Sequence, residues 1–294
     1  MPQDAAKGVF SVSESKQVYF SQGNLYYLRN AKEWYFHSEQ YEVSTVTAFA
    51  TDNEIDLFGW SANNTTAPYG ISTSMTNNDY KGDFVDWGTN TIGTDAPNTW
   101  RTLTKDEWYY LRSTRANADN LVGVARIALN ADGSKYANGL ILLPDNWTCP
   151  AGVTFKSGFS DTYSVQAYAD YQTITLADWQ KLEAAGAVFL PASGYRFGSN
   201  VYDVQNYGDY WSATPDDSDR AGGFYFYSDE ARTYDGNRYD GQAVRLVRDC
   251  QGTGTGIENP SAADAGEVRK VLRNGQVLIE RNGKTYTLTG VEVK

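Results

Sequence analysis

Catalysis, metal binding or redox chemistry would have to come from a small set of residues in this 294-residue chain. The only histidine, His37, ends the aromatic stretch Trp34-Tyr35-Phe36-His37. A hydrolytic triad needs a base oriented by a partner, and a lone histidine beside Phe36 reads as a surface or partly packed side chain instead. The two cysteines, Cys149 and Cys250, are too few for a disulfide-built scaffold and match no zinc spacing. They are either one structural disulfide or two free thiols. Asp216-Asp217-Ser218-Asp219 offers the oxygen ligands a hard cation prefers, although an acidic run in a loop is ordinarily just solvated. With 36 acidic residues in the chain, spacing alone identifies no glycosidase pair. The expectation is therefore no catalytic residue, no metal and no cofactor.

Recognition chemistry is written more densely, between Val201 and Asp249. Buried-looking residues recur there: Tyr210-Trp211-Ser212, Ala221, Phe224, Phe226, Gly241 and Val244-Arg245-Leu246-Val247. The positions between them are almost all Tyr, Asp, Asn, Gly or Arg. Tyrosine supplies rigid contact area and small polar residues supply adaptable hydrogen bonds, which is the composition of a paratope. Strand alternation puts Phe224 and Phe226 on one side and Tyr225 and Tyr227 on the other. With the phenylalanines inward, an exposed tyrosine cluster beside Asp and Arg is expected. The residues assigned to this ligand-binding face are Tyr207, Asp209, Asp219, Arg220, Gly222, Gly223, Tyr225, Tyr227, Asp229, Arg232, Tyr234, Asp235, Tyr239 and Asp240. Trp211, Phe224, Phe226, Gly241, Val244 and Arg245 are assigned to the scaffold beneath it.

Such a face needs a frame. Residues 8 to 38 alternate apolar and polar side chains around turns at Ser13 to Ser15 and Gly23-Asn24, an opening hairpin or meander. Residues 53 to 98 read as long irregular loops pinned by Phe58, Trp60, Tyr69 and Trp87. Two helices follow. Thr104 and Glu107 form a capping-box pair ahead of Trp108 and Leu111. Thr175 caps a second helix that buries Trp179 and Leu182 and ends at Gly186. The runs around Leu140 and from Ala187 to Pro191 read as buried strands. After Asp249 a Gly-, Thr- and Ser-rich stretch, 251–266, reads as a flexible linker. The tail 267–294 carries strands around Asn274-Gly275 and Asn282-Gly283, an accessory β module too small for its own core.

Composition narrows the partners. A net charge of −11 lacks the basic face that phosphate binding needs, so no nucleic acid is expected. No apolar run reaches membrane-spanning length. Tyr 22, Trp 8 and Phe 12 against two methionines favour short aromatic strands over a helical bundle. The opening Met1 to Phe10 shows no signal-peptide pattern, which leaves a cell-surface or secreted location, with the signal absent here, or carriage in a phage particle. Oligomeric state is not legible.

Four motifs, in order, resemble the C-type-lectin fold in the branch shared by formylglycine-generating-enzyme-like domains and the variable proteins of diversity-generating retroelements. They are Trp100-Arg101-Thr102-Leu103-Thr104-Lys105-Asp106-Glu107-Trp108, then Phe189-Leu190-Pro191-Ala192, Tyr210-Trp211-Ser212-Ala213-Thr214 and Gly241-Gln242-Ala243-Val244-Arg245-Leu246-Val247-Arg248. The resemblance covers roughly residues 95 to 250. It implies an α+β fold with two helices packed on a small, mostly antiparallel sheet and long irregular loops, the last three motifs forming the central sheet; the Asn-Gly turns of the tail add a C-terminal β-hairpin. Residues 1–250 would be the lectin-like domain, with its variable face at about 202–240.

In those retroelement systems an error-prone reverse transcriptase rewrites template adenines, scattering codons into Asn, Asp, Tyr, Ser, Gly and Arg. The face residues named above, with Gly236, match that output. The resemblance then implies a non-enzymatic protein recognising a protein or glycan ligand on a cell or host surface. An undiversified adhesin of the same fold is the alternative, followed by a formylglycine-generating-type oxidase. The oxidases depend on a cysteine pair near the C-terminal end, whereas Cys250 stands alone there. The Glu-Pro-Asn, Gln-Pro-Asp and Trp-Asn-Asp calcium motifs of animal lectins are absent.

Overall fold

A computed structural model describes residues 4–43, 52–164 and 166–250, together with strands between 268 and 293. The chain divides into two units, Met1–Cys250 and Gln251–Lys294. In the first, β1 (Phe10–Ser11) and β2 (Gln17–Phe20) form a hairpin whose turn closes from Val12 N to Lys16 O at 2.9 Å. Alternation buries Val18 and Phe20 and exposes Gln17. Next, β3 (Leu25–Leu28) pairs with β4 (Glu33–Phe36) and with β5 (Glu54–Ile55). The chain to Asn98 then runs mostly as irregular backbone over buried Phe58, Trp60, Tyr80 and Trp87, with Tyr69 half-buried. Indole N–H groups are satisfied by carbonyls, Trp60 on Ser212 O and Trp87 on Tyr69 O, both at 3.0 Å, so the rings add burial without a stranded donor.

The capping box forms as expected at α1 (Lys105–Tyr109). Thr104 Oγ1 accepts Glu107 N at 3.1 Å and Glu107 Oε2 accepts Thr104 N at 2.9 Å. The helix widens into a π turn, Tyr110–Thr114, where buried Arg115 donates to Leu111 O at 2.8 Å and pairs with Asp145 at 3.1 Å. A four-stranded sheet follows, built from β6 (Val122–Ala128), β7 (Tyr136–Leu142), β8 (Thr173–Thr175) and β9 (Val188–Pro191), in the order β8-β6-β7-β9. Between its strands lie α2 (Ala167–Tyr171), which the sequence pattern did not reveal, and α3 (Leu176–Ala184). Thr175 caps α3, Trp179 and Leu182 are buried, and Gly186 takes the left-handed conformation, φ 101°, that stops it.

A hairpin of β10 (Tyr195–Phe197) and β11 (Asn200–Tyr202) leads into the antiparallel meander of β12 (Gly208–Pro215), β13 (Arg220–Phe226) and β14 (Ala231–Asn237). Finally β15 (Val247–Asp249) returns to β2, with Val247 opposite Phe20. The unit is mixed α+β, mostly short strands in small, chiefly antiparallel sheets; among the described strands β6 and β8 pair in parallel. One small sheet was expected, and five are present among the described residues of this unit. Likewise the segments at 189–192, 210–214 and 241–248 do not share a ladder. Their strands belong to three separate sheets; a bridge from Tyr210 to Ala243 joins the second segment to the third, and Val247 of the third bridges to Arg101. A register shift between Trp211 and Pro215 interrupts the β12-β13 ladder, which resumes with Pro215 opposite Ala221.

In the second unit β16 (Val268–Arg273), β17 (Gln276–Arg281), β18 (Lys284–Thr287) and β19 (Glu292–Val293) form a four-stranded antiparallel meander, two strands more than a hairpin. The expected linker at 251–266 and both Asn-Gly turns lie outside the described residues.

Candidate functional site

The meander β12-β13-β14 has two chemically different sides. On one, Phe224 stacks on Trp108 of α1 with ring centroids 4.8 Å apart and planes 4° from parallel, and Phe226 stacks on Tyr210 at 6.1 Å. All four rings are fully buried, which fixes the sheet to α1. On the other, the register aligns Asp209, Tyr225 and Arg232 across the three strands, and Trp211, Gly223 and Tyr234 in the next row. Gly223 is required sterically: a Cβ there would come within 2.7 Å of the Tyr234 ring, which lies across the strand.

Five tyrosines meet on this second side. Tyr234 contacts Tyr225 edge-on at 5.1 Å, Tyr225 contacts Tyr227 at 5.3 Å, and Tyr227 meets both Tyr207 at 4.7 Å and Tyr163 at 5.3 Å. The Tyr163 and Tyr207 hydroxyls are hydrogen-bonded to each other. Tyr234 OH donates to Asp209 Oδ1 at 3.1 Å and Tyr225 OH to Glu230 Oε1 at 2.8 Å. Arg232 donates to the Tyr225 hydroxyl and pairs with Glu230 at 3.4 Å. The expected outward exposure is corrected here. Tyr225 is only 8% exposed, because its neighbours on the same face cover it, while Tyr207, Tyr227 and Tyr234 are half-buried. Of the five tyrosines the exposed one is Tyr163, which sequence reasoning missed, and Arg232 is exposed beside them. Tyr163 lies in the polar stretch Ser160-Asp161-Thr162-Tyr163-Ser164, with no local pattern to mark it.

The remaining predicted positions divide. Asp240 lies beside this face; its Oδ2 accepts from Asn237 Nδ2 at 3.4 Å, and its charge acts on Asp209 and Tyr234. Burial pushes the Asp209 carboxyl up to about 7, opposed by the Tyr234 hydrogen bond and reinforced by the charges of Asp240 and Asp203. Burial also raises Asp240, to about 6, against hydrogen bonds from Asn237 and the charge of Arg196. Tyr239 packs edge-on against Phe197 at 5.8 Å. Asp229 is half-buried in the turn before β14.

Four residues do not join the tyrosines. Asp219 and Arg220 stand at the far tip of β12-β13, about 20 Å along the strand by its rise, where Asp217 Oδ1 accepts both of their N–H groups at 2.7 Å. Gly222 and Asp235 face α1: Asp235 binds Lys105 Nζ at 2.6 Å, and a Cβ on Gly222 would meet Lys105 at 2.9 Å.

The positions assigned to the scaffold are all buried. Trp211 Nε1 donates to Phe58 O at 2.7 Å, Val244 is fully buried and Gly241 packs on Arg196. Arg245, wholly buried, binds Gln40 Oε1 at 2.7 Å and Asn24 Oδ1 at 3.2 Å; burial lowers its guanidinium to about 10.

Elsewhere, His37 is more buried than expected, stacked on Tyr26 at 4.8 Å between Glu42 at 3.8 Å and Asp56 at 3.7 Å. Cavities flank it, one lined by Tyr26, Glu42 and Glu54 and the other by Gln22, Tyr35 and Ile92, away from the tyrosine face. Cys149 and Cys250 are both free, which removes the disulfide alternative. Burial raises the Cys250 thiol above its ordinary value, so its reactive thiolate is scarcer. Comparison of the chain with family models, with curated proteins and with solved structures returned no match.

Proposed function

We propose that this chain is a non-enzymatic binding protein of the C-type-lectin fold, a variable protein of the retroelement type. Its tyrosine and aspartate face takes a protein or glycan ligand on a cell or host surface, and the chain acts there or from a phage particle. The observation that carries this is the two-sidedness of β12-β13-β14. One side is locked to α1 through Trp108 and Phe224, and the other carries five touching tyrosines with Asp209, Glu230 and Arg232 at their hydroxyls. A rigid support under an aromatic polar surface lowers the entropy cost of binding. The free, separately placed cysteines lend no support to oxidase chemistry.

Diversification is proposed for a smaller set than the sequence implied. Gly222, Gly223, Tyr225 and Asp235 each answer an internal demand, and free variation there would cost packing or an ion pair. That observation favours the undiversified adhesin at those four positions. The remaining candidates are Tyr207, Asp209, Asp219, Arg220, Tyr227, Asp229, Arg232, Tyr234, Tyr239 and Asp240.

Replacing Tyr207, Tyr227 and Tyr234 together by alanine is expected to abolish ligand binding, and unchanged binding refutes the face. The diversification claim is tested in the DNA beside the gene. A near-copy of the 3′ coding segment that differs only at adenines, next to a reverse transcriptase gene, is expected. Its absence leaves the adhesin.

A further inference from the structure

The segment between β11 and β12 is held in a costly shape. Asp203 and Gln205 both have left-handed backbones, φ 56° and 66°, a conformation that side chains other than glycine adopt at an energetic cost and that persists only where surroundings dictate it. Here they do. Gln205 is bolted to β7 and β9: its N donates to Ala192 O at 2.7 Å, its Oε1 accepts Asn138 N at 2.6 Å, and its O accepts Asn138 Nδ2 at 2.8 Å. Asn206 and Tyr207 N–H groups close back on Asp203 O at 2.9 and 3.0 Å. What this clamp presents outward is Tyr202, 43% exposed, and Val204, 40% exposed. Tyr202 stacks on Tyr195 at 5.8 Å, and Tyr207 at the end of the same segment belongs to the tyrosine face.

Charge decides what would sit there. Tyr195 pairs with Tyr202, and the bridges Gly194 to Gly208 and Arg196 to Gly241 bring Asp203, Asp209 and Asp240, each one residue along the chain from a paired position, to one patch around Tyr195. Two cations are near: Arg232 is already paired with Glu230, and the buried Arg196 acts on Asp240, which leaves the carboxylates in excess. Burial holds Asp209 and Asp240 above the usual carboxylate range, reinforced at Asp209 by the charges of Asp240 and Asp203 and offset in part at Asp240 by Arg196, and an incoming cation would favour the ionised forms. Tyrosine faces add cation–π attraction for the same group.

We propose that this surface receives an arginine- or lysine-bearing segment of a partner protein, its apolar stem on Tyr202 and Tyr207 and its cationic head among Asp203, Asp209 and Asp240. The proposal rests on the reading of the tyrosine side as a binding face and names its ligand chemistry. The clamped segment extends that face beyond β12-β13-β14.

The test is a random-peptide display library selected on the full chain, with an immobilised panel of uncharged oligosaccharides run in parallel. Enrichment of Lys- and Arg-rich peptides is expected. A synthetic copy of the leading peptide should bind the Asp203→Asn/Asp240→Asn variant about tenfold more weakly and lose affinity as salt rises. The Asn variants keep side-chain shape, and a thermal melt verifies that they fold. If the enriched peptides are neutral or acidic but are lost on Tyr207→Ser/Tyr227→Ser, the cationic assignment fails while the binding face stands. Oligosaccharide binding through the same tyrosines without basic peptides also overturns the assignment. If nothing recovered depends on those tyrosines, the face itself is wrong.

Discussion

Substituting Asp209→Asn should make the protein more stable in alkaline solution and leave it unchanged in acid. Asp209 has its carboxyl raised from 3.8 to about 7, chiefly by burial. A raised carboxylate means that the folded protein holds the proton longer than the unfolded chain does. Its contribution is therefore fully present below the unfolded value near 4 and is lost as pH rises through about 7. Between pH 5 and pH 8 the unfolded chain is already ionised, so the folded state forfeits about two pH units at 1.36 kcal/mol each, an upper bound of about 3 kcal/mol. Solvent reaches the half-buried side chain, which reduces the expected value to about 1–1.5 kcal/mol. Asparagine keeps an oxygen to accept from Tyr234, so the change removes charge more than structure. Thermal melts should show the variant's advantage over wild type growing by about 2–5 °C between pH 5 and pH 8 and vanishing below pH 4. Parallel pH profiles for the two proteins would refute the burial argument.

Other substitutions probe the frame. Glu107→Ala removes the bidentate Arg101 pair at 2.7 and 2.9 Å together with the cap on Thr104 N, and urea unfolding should report a loss of about 3 kcal/mol. Trp108→Ala empties the space between α1 and Phe224 and should cost about 3–5 kcal/mol by the same assay. Gln205→Ala should release the clamp at 202–207, seen as faster hydrogen exchange at the Asn138 and Tyr207 amides, with only about 1–2 kcal/mol lost globally. Exchange as slow as in wild type would show that Gln205 does not hold the segment.

What could be read from the sequence was whatever short-range physics determines. The Thr104–Glu107 box, the Thr175 cap, the Gly186 stop and the inward phenylalanines of β13 each depend on a handful of neighbouring residues, and each is found in place. Period-2 alternation correctly separated Phe224 from Tyr225. It could not say that Tyr227, Tyr234 and Arg232 would close over Tyr225, since they reach it from another row or strand. Gly222 and Asp235 looked like surface variation because their reason, Lys105, is more than a hundred residues away. Tyr163 was hidden for the same cause. The helix α2 spans five residues without a side-chain cap, too little for helical periodicity to register. Dividing one expected sheet into several depends on pairings between segments far apart in the chain, such as β2 with β15 and β6 with β8, which no local residue pattern announces.

The account stands or falls on whether the tyrosine side binds. Wild-type chain and the Tyr207→Ser/Tyr227→Ser variant should be compared on one panel of displayed peptides and immobilised oligosaccharides, with both proteins verified as folded by thermal melt. The expected result is at least one target held by wild type and weakened about tenfold or more in the variant, the scale of losing aromatic anchors at a binding hot spot. If every target held by wild type is held equally by the variant, the ligand-binding face lies elsewhere on the molecule.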